Sequence, residues 1–118
     1  MMLNIKDSKL QVEKIAQNYN LKFVVVFGSA ASGLMKDSSD IDIAVLRKNH
    51  SLLDYKSFLN ISSELPDALS SGFRKIDLVD LSPANILLRY EATQNGILLY
   101  GDETSYQDYR IFAFKDYI

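Results

Sequence analysis

The hydrophobic residues of the chain fall into strand-like runs separated by stretches with helical spacing. Residues 23–27 are a continuous run of β-branched and aromatic side chains, which is typical of a strand buried on both faces, and the run stops at Gly28. Residues 40–46 begin with alternating polar and apolar positions, so Asp40 and Asp42 should share one face of a second strand. The opposite face should carry Ile41, Ile43 and Val45.

The remaining apolar positions predict two more strands and a last helix. Residues 76–81 have the pattern of a third strand, and residues 97–100 that of a short edge strand. Residues 104–118 have helical spacing, and their apolar side chains should be covered by a partner or by a second copy of the chain. The tyrosines of this region should pack in the core or at an interface, with self-modification as an alternative, and they are Tyr100, Tyr106, Tyr109 and Tyr117.

A first helix is predicted over roughly residues 8–19, with Asp7 or Ser8 as its N-cap. Its apolar stripe consists of Leu10, Val12, Ile15, Ala16 and Tyr19. A second helix should begin at Ser51 and end or kink near Pro66. Its packing side chains should be Leu52, Tyr55, Phe58 and Leu59.

Another helix should follow the third strand. The pair Ser82-Pro83 suits an N-cap and first turn, and Asn95-Gly96 suits a left-handed C-terminal cap. Neither repeats nor a linker rich in Pro, Gly or Ser divides the chain, which favours a single domain over residues 1–118.

Composition restricts the partners and cofactors. There is no run of about 20 apolar residues, so we expect a soluble cytoplasmic protein without a membrane partner. The chain has no cysteine, so a metal would be held by oxygen atoms or by the single histidine, His50. The net charge of -2 comes from well-mixed acidic and basic residues, which disfavours direct binding of a nucleic-acid strand.

Two aspartates separated by one residue are the first candidate for chemistry. Asp40 and Asp42 would project to the same side of a strand, about 6–7 Å apart at their Cα atoms. Such a pair is costly unless a cation lies between the carboxylates, and Mg²⁺ is the natural choice because it binds carboxylate and phosphate oxygens. The alternative is a solvated polar face, which is common on surface strands.

Gly28 and Ser29 are the second candidate. A glycine directly after a buried strand lets backbone amides approach a ligand, and the serine adds a hydroxyl donor, so this turn can hold a phosphate. An ordinary strand-to-helix turn is the alternative. The two candidates together read Gly-Ser, ten residues, then Asp-x-Asp, and this combination is far more specific than either half.

The combined pattern resembles the signature of the nucleotidyltransferase superfamily that includes DNA polymerase beta and kanamycin nucleotidyltransferase. Within this superfamily the chain resembles the minimal nucleotidyltransferases, the antitoxin partners of HEPN-domain toxins, because the likeness extends through residues 74–81, 88–91 and 96–100. These segments read RKIDLVDL, LRYE and GILLY.

The resemblance implies a mixed β-sheet flanked by helices, an α/β (α+β) fold, with ATP as substrate and two Mg²⁺ ions. It implies that Asp40 and Asp42 hold the metals and that Gly28 and Ser29 hold the β- and γ-phosphates. It also implies transfer of AMP to a tyrosine of a HEPN RNase toxin, with which the chain would form a hetero-oligomer.

A third carboxylate usually completes such a site, binding the second metal or accepting the proton of the nucleophile. Asp77 and Asp80 compete for this role, and a regular strand can present only one of them beside Asp40 and Asp42. We favour Asp77, which would share a face with Val79 and Leu81, because its position matches the family pattern. This choice leaves Ile76 and Leu78 for the helix-covered face. Asp80 would then lie at the strand end, near the next helix cap.

The chain departs from the family where many relatives have a basic residue shortly after Gly-Ser. It has Ala30, Ala31 and Ser32 there, and either Lys36 replaces the missing cation or Lys36 is an ordinary exposed lysine. Asp37 is interpreted as an exposed turn residue and His50 as a solvated loop residue.

Two functions remain open at this point. The first is a protein adenylyltransferase that modifies its toxin. The second is an antitoxin of the same fold that neutralises the toxin by binding, with a weak or vestigial metal site. Transfer to a small molecule is disfavoured, since the antibiotic-modifying relatives use additional structure for the acceptor.

Overall fold

The computed structural model describes residues 5–33, 40–72 and 74–118. The described part of the chain forms an α+β fold of one four-stranded sheet and five helices. In chain order these are α1 (Ile5–Asn18), β1 (Leu21–Phe27), α2 (Ser29–Ser32), β2 (Ile41–Arg47), α3 (Tyr55–Leu69), β3 (Ile76–Asp80), α4 (Ile86–Gln94), β4 (Ile97–Gly101) and α5 (Glu103–Tyr117).

The sheet is mixed, as predicted. Its strand order is β3-β2-β1-β4, and β1 is antiparallel to both β2 and β4. β3 is parallel to β2 because α3 carries the chain back across the sheet before β3 begins. β3 and β4 are the two edge strands, which confirms the prediction of an edge strand near residues 97–100.

Hydrophobic packing covers both faces of the sheet. Ile41, Ile43 and Val45 lie in one cluster with buried residues of α1 and α3, which confirms that they share a face. Ala44 and Leu46 lie in the second cluster, on the side of α4 and α5. β1 contributes to both clusters, so the continuous apolar run correctly predicted a strand buried on both faces.

The helix starts differ from the predicted ones. α1 begins at Ile5, so Asp7 and Ser8 are not its N-cap, and Ser8 is instead a buried residue of the helix. Leu10 is 61% exposed, because a residue two positions before the buried Val12 lies on the opposite side of a helix. The rest of the predicted stripe faces the protein, with Val12, Ile15 and Ala16 buried and Tyr19 partly buried.

The α3 cap is Asp54, which accepts a hydrogen bond from Ser57 N at 3.1 Å, and the prediction of Ser51 was wrong. The Ser51 hydroxyl donates to Asn49 Oδ1 at 2.7 Å instead. The helix continues through Pro66 to Leu69. The predicted packing residues are mostly on the surface: Leu52, Tyr55 and Leu59 are exposed and Phe58 is partly buried.

Asn85 caps α4 by accepting a hydrogen bond from Leu88 N at 2.9 Å, so the prediction of Ser82-Pro83 was wrong. The Ser82 hydroxyl donates to the His50 carbonyl at 2.6 Å and is not available as a cap. Gly96 does not have the predicted left-handed conformation. A Cβ at Gly96 would lie 2.5 Å from Val25 Cγ1, so close packing requires the glycine.

α5 confirms the predicted last helix, and it buries Tyr106 and Tyr109 against Phe23 in edge-to-face contacts. Tyr117 is 47% exposed and stacks on Tyr90 with ring centroids 4.1 Å apart, whereas Tyr100 is partly buried. Large apolar side chains of α4, α5 and the residue after α5 remain exposed: Ile86, Leu87, Ile111, Phe112, Phe114, Tyr117 and Ile118. That a partner or a second copy of the chain covers these side chains stays a prediction.

No helix of the described residues has the length and the apolar character needed to cross a membrane.

Candidate active site

The sheet brings the predicted site residues to one of its ends. Gly28 follows the last residue of β1, Asp40 directly precedes β2, and Asp42 and Asp77 are the second residues of β2 and β3. Because β1 is antiparallel to β2, Phe27 is paired with Asp42, and because β3 is parallel to β2, Asp42 is paired with Asp77. Asp42 therefore has the Gly28 turn on one side and Asp77 on the other.

The register separates the two candidates for the third carboxylate. Asp77 shares a face with Val79, which packs in the cluster under α4 and α5, and Asp42 alternates onto the same face as Ala44. Asp80 lies at the other end of β3, where its Oδ2 accepts from Leu53 N at 2.9 Å and its Oδ1 accepts from Ser82 N at 3.1 Å. The structure thus brings Asp77, and not Asp80, to the aspartate pair.

The aspartates form a site of concentrated negative charge. Burial raises the pKa of the partly buried Asp42 carboxyl above its ordinary value, and the charges of Asp77 and Asp40 raise it further. A hydrogen bond between the carboxyl groups of Asp42 and Asp77 adds to the rise in pKa, because it requires one of them to keep a proton. A cation at this position would relieve the repulsion.

The turn at Gly28 is built around the Asp42 carboxylate. Gly28 has φ 69° and ψ -149°, and a Cβ on it would lie 2.3 Å from Asp42 Oδ2. Both the backbone conformation and the close approach exclude a side chain here. The Gly28 carbonyl accepts from Ala31 N at 3.2 Å and Ser32 N at 3.1 Å, so the turn leads directly into the single turn of α2.

A comparison with protein families agrees with this arrangement. Residues 10–105 match the model of the family described as polymerase beta, nucleotidyltransferase, which is most of the chain. The chain belongs to this nucleotidyltransferase family.

Known proteins similar to this nucleotidyltransferase include the protein adenylyltransferase MntA of Shewanella oneidensis, which is 36% identical over 95 residues. The match covers 80% of the chain but only 63% of the length of MntA. MJ1215 of Methanocaldococcus jannaschii is 34% identical over 67 residues, which cover 57% of the chain and 72% of that protein.

A solved structure of a toxin–antitoxin with AMP-PNP contains a chain of the same fold. Its TM-score is 0.76 with 27% sequence identity, and the match covers 92% of this nucleotidyltransferase and 86% of that chain.

The residues of the nucleotidyltransferase site suit a magnesium–nucleotide complex better than a free ion. Within residues 5–33, 40–72 and 74–118, no three Asp, Glu, His or Cys side chains have the spacing of a preformed metal site. Mg²⁺ is commonly held by one or two carboxylates together with substrate phosphates and water. The all-oxygen donors, the repulsion at Asp42 and the exposed Gly28 turn beside the Asp42 carboxylate fit such a shared coordination.

Several predicted residues lie elsewhere. Lys36 and Asp37 are outside the described residues. His50 is an exposed loop residue, as predicted, and it follows the far end of β2. Its Nε2 is 3.3 Å from Lys22 Nζ. Neighbouring residues shield part of the ring from water, and this shielding, followed by the charge of Lys22, lowers the pKa of His50.

The sequence did not predict that the Asp80 carboxylate links two loops by hydrogen bonds. An aspartate side chain often accepts a hydrogen bond from the backbone amide two residues later, and Asp80 makes this bond with Ser82 N. This part of its role could have been predicted from the sequence. The second bond, from Leu53 N, is not foreseeable because the two residues are 27 positions apart.

Proposed function

We propose that this nucleotidyltransferase is a protein adenylyltransferase that acts as an antitoxin in the cytoplasm, transferring AMP from ATP to a tyrosine of a HEPN RNase toxin. The observation that carries the proposal is the pairing of Asp42 with Asp77 on one side and its contact with the Gly28 turn on the other. Two comparisons support it: the related MntA is named a protein adenylyltransferase, and the similar solved chain belongs to a toxin–antitoxin with AMP-PNP.

Asp40, Asp42 and Asp77 would hold two Mg²⁺ ions, and Gly28 and Ser29 would hold the β- and γ-phosphates. Bound Mg²⁺ would neutralise the triphosphate and the charge that develops on the leaving pyrophosphate. Asp42 lies between the Gly28 turn and Asp77, so the α-phosphate of ATP would lie over β2.

The transfer forms a bond between the acceptor oxygen and the α-phosphorus, and it breaks the bond from the α-phosphorus to the oxygen bridging to the β-phosphorus. Pyrophosphate leaves with that bridging oxygen. Asp77, which is exposed and paired with Asp42, accepts the proton of the acceptor hydroxyl.

A tyrosine of the toxin is a physically effective acceptor. AMP adds a bulky anion to the partner, and near an RNase site this anion would repel the RNA backbone and block its access. The modification would outlast the complex, whereas inhibition by binding ends when the partners dissociate.

The deciding experiment is intact-mass measurement of a HEPN-type partner co-expressed with the chain. The partner should gain the mass of AMP, and peptide mapping should place the group on tyrosine. Co-expression with the chain carrying Asp40→Ala and Asp42→Ala is the matched control, and it should leave the partner unmodified. A partner that is fully inhibited but unmodified would reject the enzymatic proposal.

An antitoxin that works by binding alone is the second candidate. One observation favours it: the chain has Ala30, Ala31 and Ser32 where many relatives have a basic residue. Calorimetry separates the two proposals, since a chain that binds no triphosphate at millimolar concentration with Mg²⁺ present would be a binding antitoxin.

Gly28→Ala should abolish magnesium-dependent ATP binding, because the new Cβ would displace the Asp42 carboxylate that it meets at 2.3 Å. Gly72→Ala is the matched control: Gly72 also has positive φ, 65°, but its Cβ would meet no described atom within 4 Å. A side chain at positive φ strains the backbone by about 1–3 kcal/mol, so both variants should have a lower melting temperature than wild type. Equal ATP affinity in the two variants, measured by calorimetry, would contradict the proposed contact.

A further inference from the structure

Lys75 directly precedes β3, at the end of the sheet that carries the aspartates. The Ile41 amide donates to the Lys75 carbonyl at 2.8 Å, and Ile41 is paired with Ile76, so the parallel register sets Lys75 level with Asp40. The alternation of β3, continued by one residue before Ile76, places residues 75 and 77 on the same face. The Lys75 Cα therefore lies at the same end of the sheet as the site, and its side chain leaves the backbone on the face that carries the aspartates.

The side chain of Lys75 is available for a ligand. It is exposed, and within the described ranges it has neither an ion pair nor a side-chain hydrogen bond. Lysine has a flexible four-carbon stem, so its ammonium group can extend from this position towards an acceptor bound over Asp40 and Asp77.

Strand order determines which side of the reaction Lys75 faces. Gly28 lies on the β1 side of Asp42, whereas Asp77 and Lys75 lie on the β3 side. With the leaving phosphates over Gly28 and Ser29, the acceptor must approach the α-phosphorus roughly in line from the opposite direction. That direction is over β3, which is an edge strand of the sheet.

We propose that Lys75 is an acceptor-side residue whose ammonium group donates a hydrogen bond to the attacking hydroxyl oxygen. This inference rests on the proposed protein adenylyltransferase function. As the hydroxyl proton passes to Asp77 and the oxygen bonds to the α-phosphorus, Lys75 stabilises the negative charge on that oxygen. In this role Lys75 makes no contact with the leaving phosphates.

The test compares Lys75→Met, Lys75→Arg and a matched control, Lys48→Met, an exposed lysine at the opposite end of β2. ATP affinity with Mg²⁺ is measured by calorimetry, and AMP transfer to the co-expressed or purified partner by intact mass. Lys75→Met should bind ATP within about twofold of wild type but lose about 10²-fold in kcat/KM for the acceptor, the effect of removing one donor from a developing oxyanion. Lys75→Arg should recover most of this loss, and Lys48→Met should match wild type.

Each other result has a distinct meaning. Unchanged transfer by Lys75→Met would overturn the acceptor-side role while leaving the adenylyltransferase proposal intact. A fall in ATP affinity as large as the fall in transfer would overturn it in favour of a phosphate contact. Equal losses for Met and Arg with a lower melting temperature would indicate a structural role. A wild-type chain that binds ATP but transfers no AMP would overturn the proposed function and the Lys75 role together.

Discussion

The double variant Asp40→Ala, Asp42→Ala should reduce AMP transfer by at least about 10³-fold, because several kcal/mol of metal-derived charge stabilisation would be lost. The variant should remain folded. Asp40 is exposed and Asp42 is only partly buried, so neither truncation opens a cavity in the core. Transfer is measured by intact mass of the partner, and folding by thermal denaturation without Mg²⁺.

The same variant should melt at a higher temperature than wild type in the absence of Mg²⁺. The pKa of Asp42 is raised in the folded state, so its contribution to stability is fully present below the unfolded pKa and is lost as the pH rises through the folded pKa. At neutral pH the Asp42 charge therefore opposes folding, and its removal relieves the repulsion from Asp77 and Asp40.

A double variant of two exposed acids away from the site, Asp67→Ala and Asp108→Ala, is the control for the loss of two negative charges. It should transfer AMP at the wild-type rate. Near-normal transfer by the Asp40, Asp42 variant would show that the two aspartates do not hold the catalytic metals.

Asp77→Asn should lower the transfer rate by about 10²- to 10⁴-fold, the range expected when a general base is removed, with only a modest change in ATP affinity. Asp77 is paired with Asp42 on the acceptor side of the site, so the amide would keep the shape of the residue but would no longer accept a proton. Single-turnover kinetics with calorimetry separates the rate from the affinity.

Asp80→Asn is the matched comparison, because it makes the same chemical change at the other end of β3. The two oxygens of Asp80 accept from Leu53 N and Ser82 N, and an amide can accept only one of these bonds. Stability should fall by about 1–3 kcal/mol in denaturant unfolding, with the transfer rate retained. Full activity of Asp77→Asn together with inactive, stable Asp80→Asn would assign the base to Asp80.

The helix caps show where sequence reasoning reached its limit. Before α3, Ser51 and Asp54 are both acceptable N-caps and lie three residues apart. Before α4, Ser82 and Asn85 are two acceptable N-caps with the same spacing. In each case the earlier serine has a different partner: the Ser51 hydroxyl donates to Asn49 and the Ser82 hydroxyl to the His50 carbonyl. Local preference therefore could not identify the cap, since competing hydrogen bonds decide it.

The strands and the aspartate pair were predictable because their signals are local. A continuous apolar run is recognisable as a doubly buried strand wherever it packs, and alternation assigns Asp40 and Asp42 to one face without knowledge of their neighbours. The same alternation correctly separated Asp77 from Ile76 and Leu78, which pack on the opposite face.

The sequence by itself thus determined the strand faces, the mixed distribution of charge and the spacing that marks a nucleotidyltransferase, because these depend only on the order of residues along the chain. Only the tertiary structure decided that Asp42 pairs with Asp77, that Gly28 packs against the Asp42 carboxylate, and that Lys75 is level with Asp40. The physical reason is that strand order and register are set by hydrogen bonds and packing between segments distant in sequence, and no local pattern contains them.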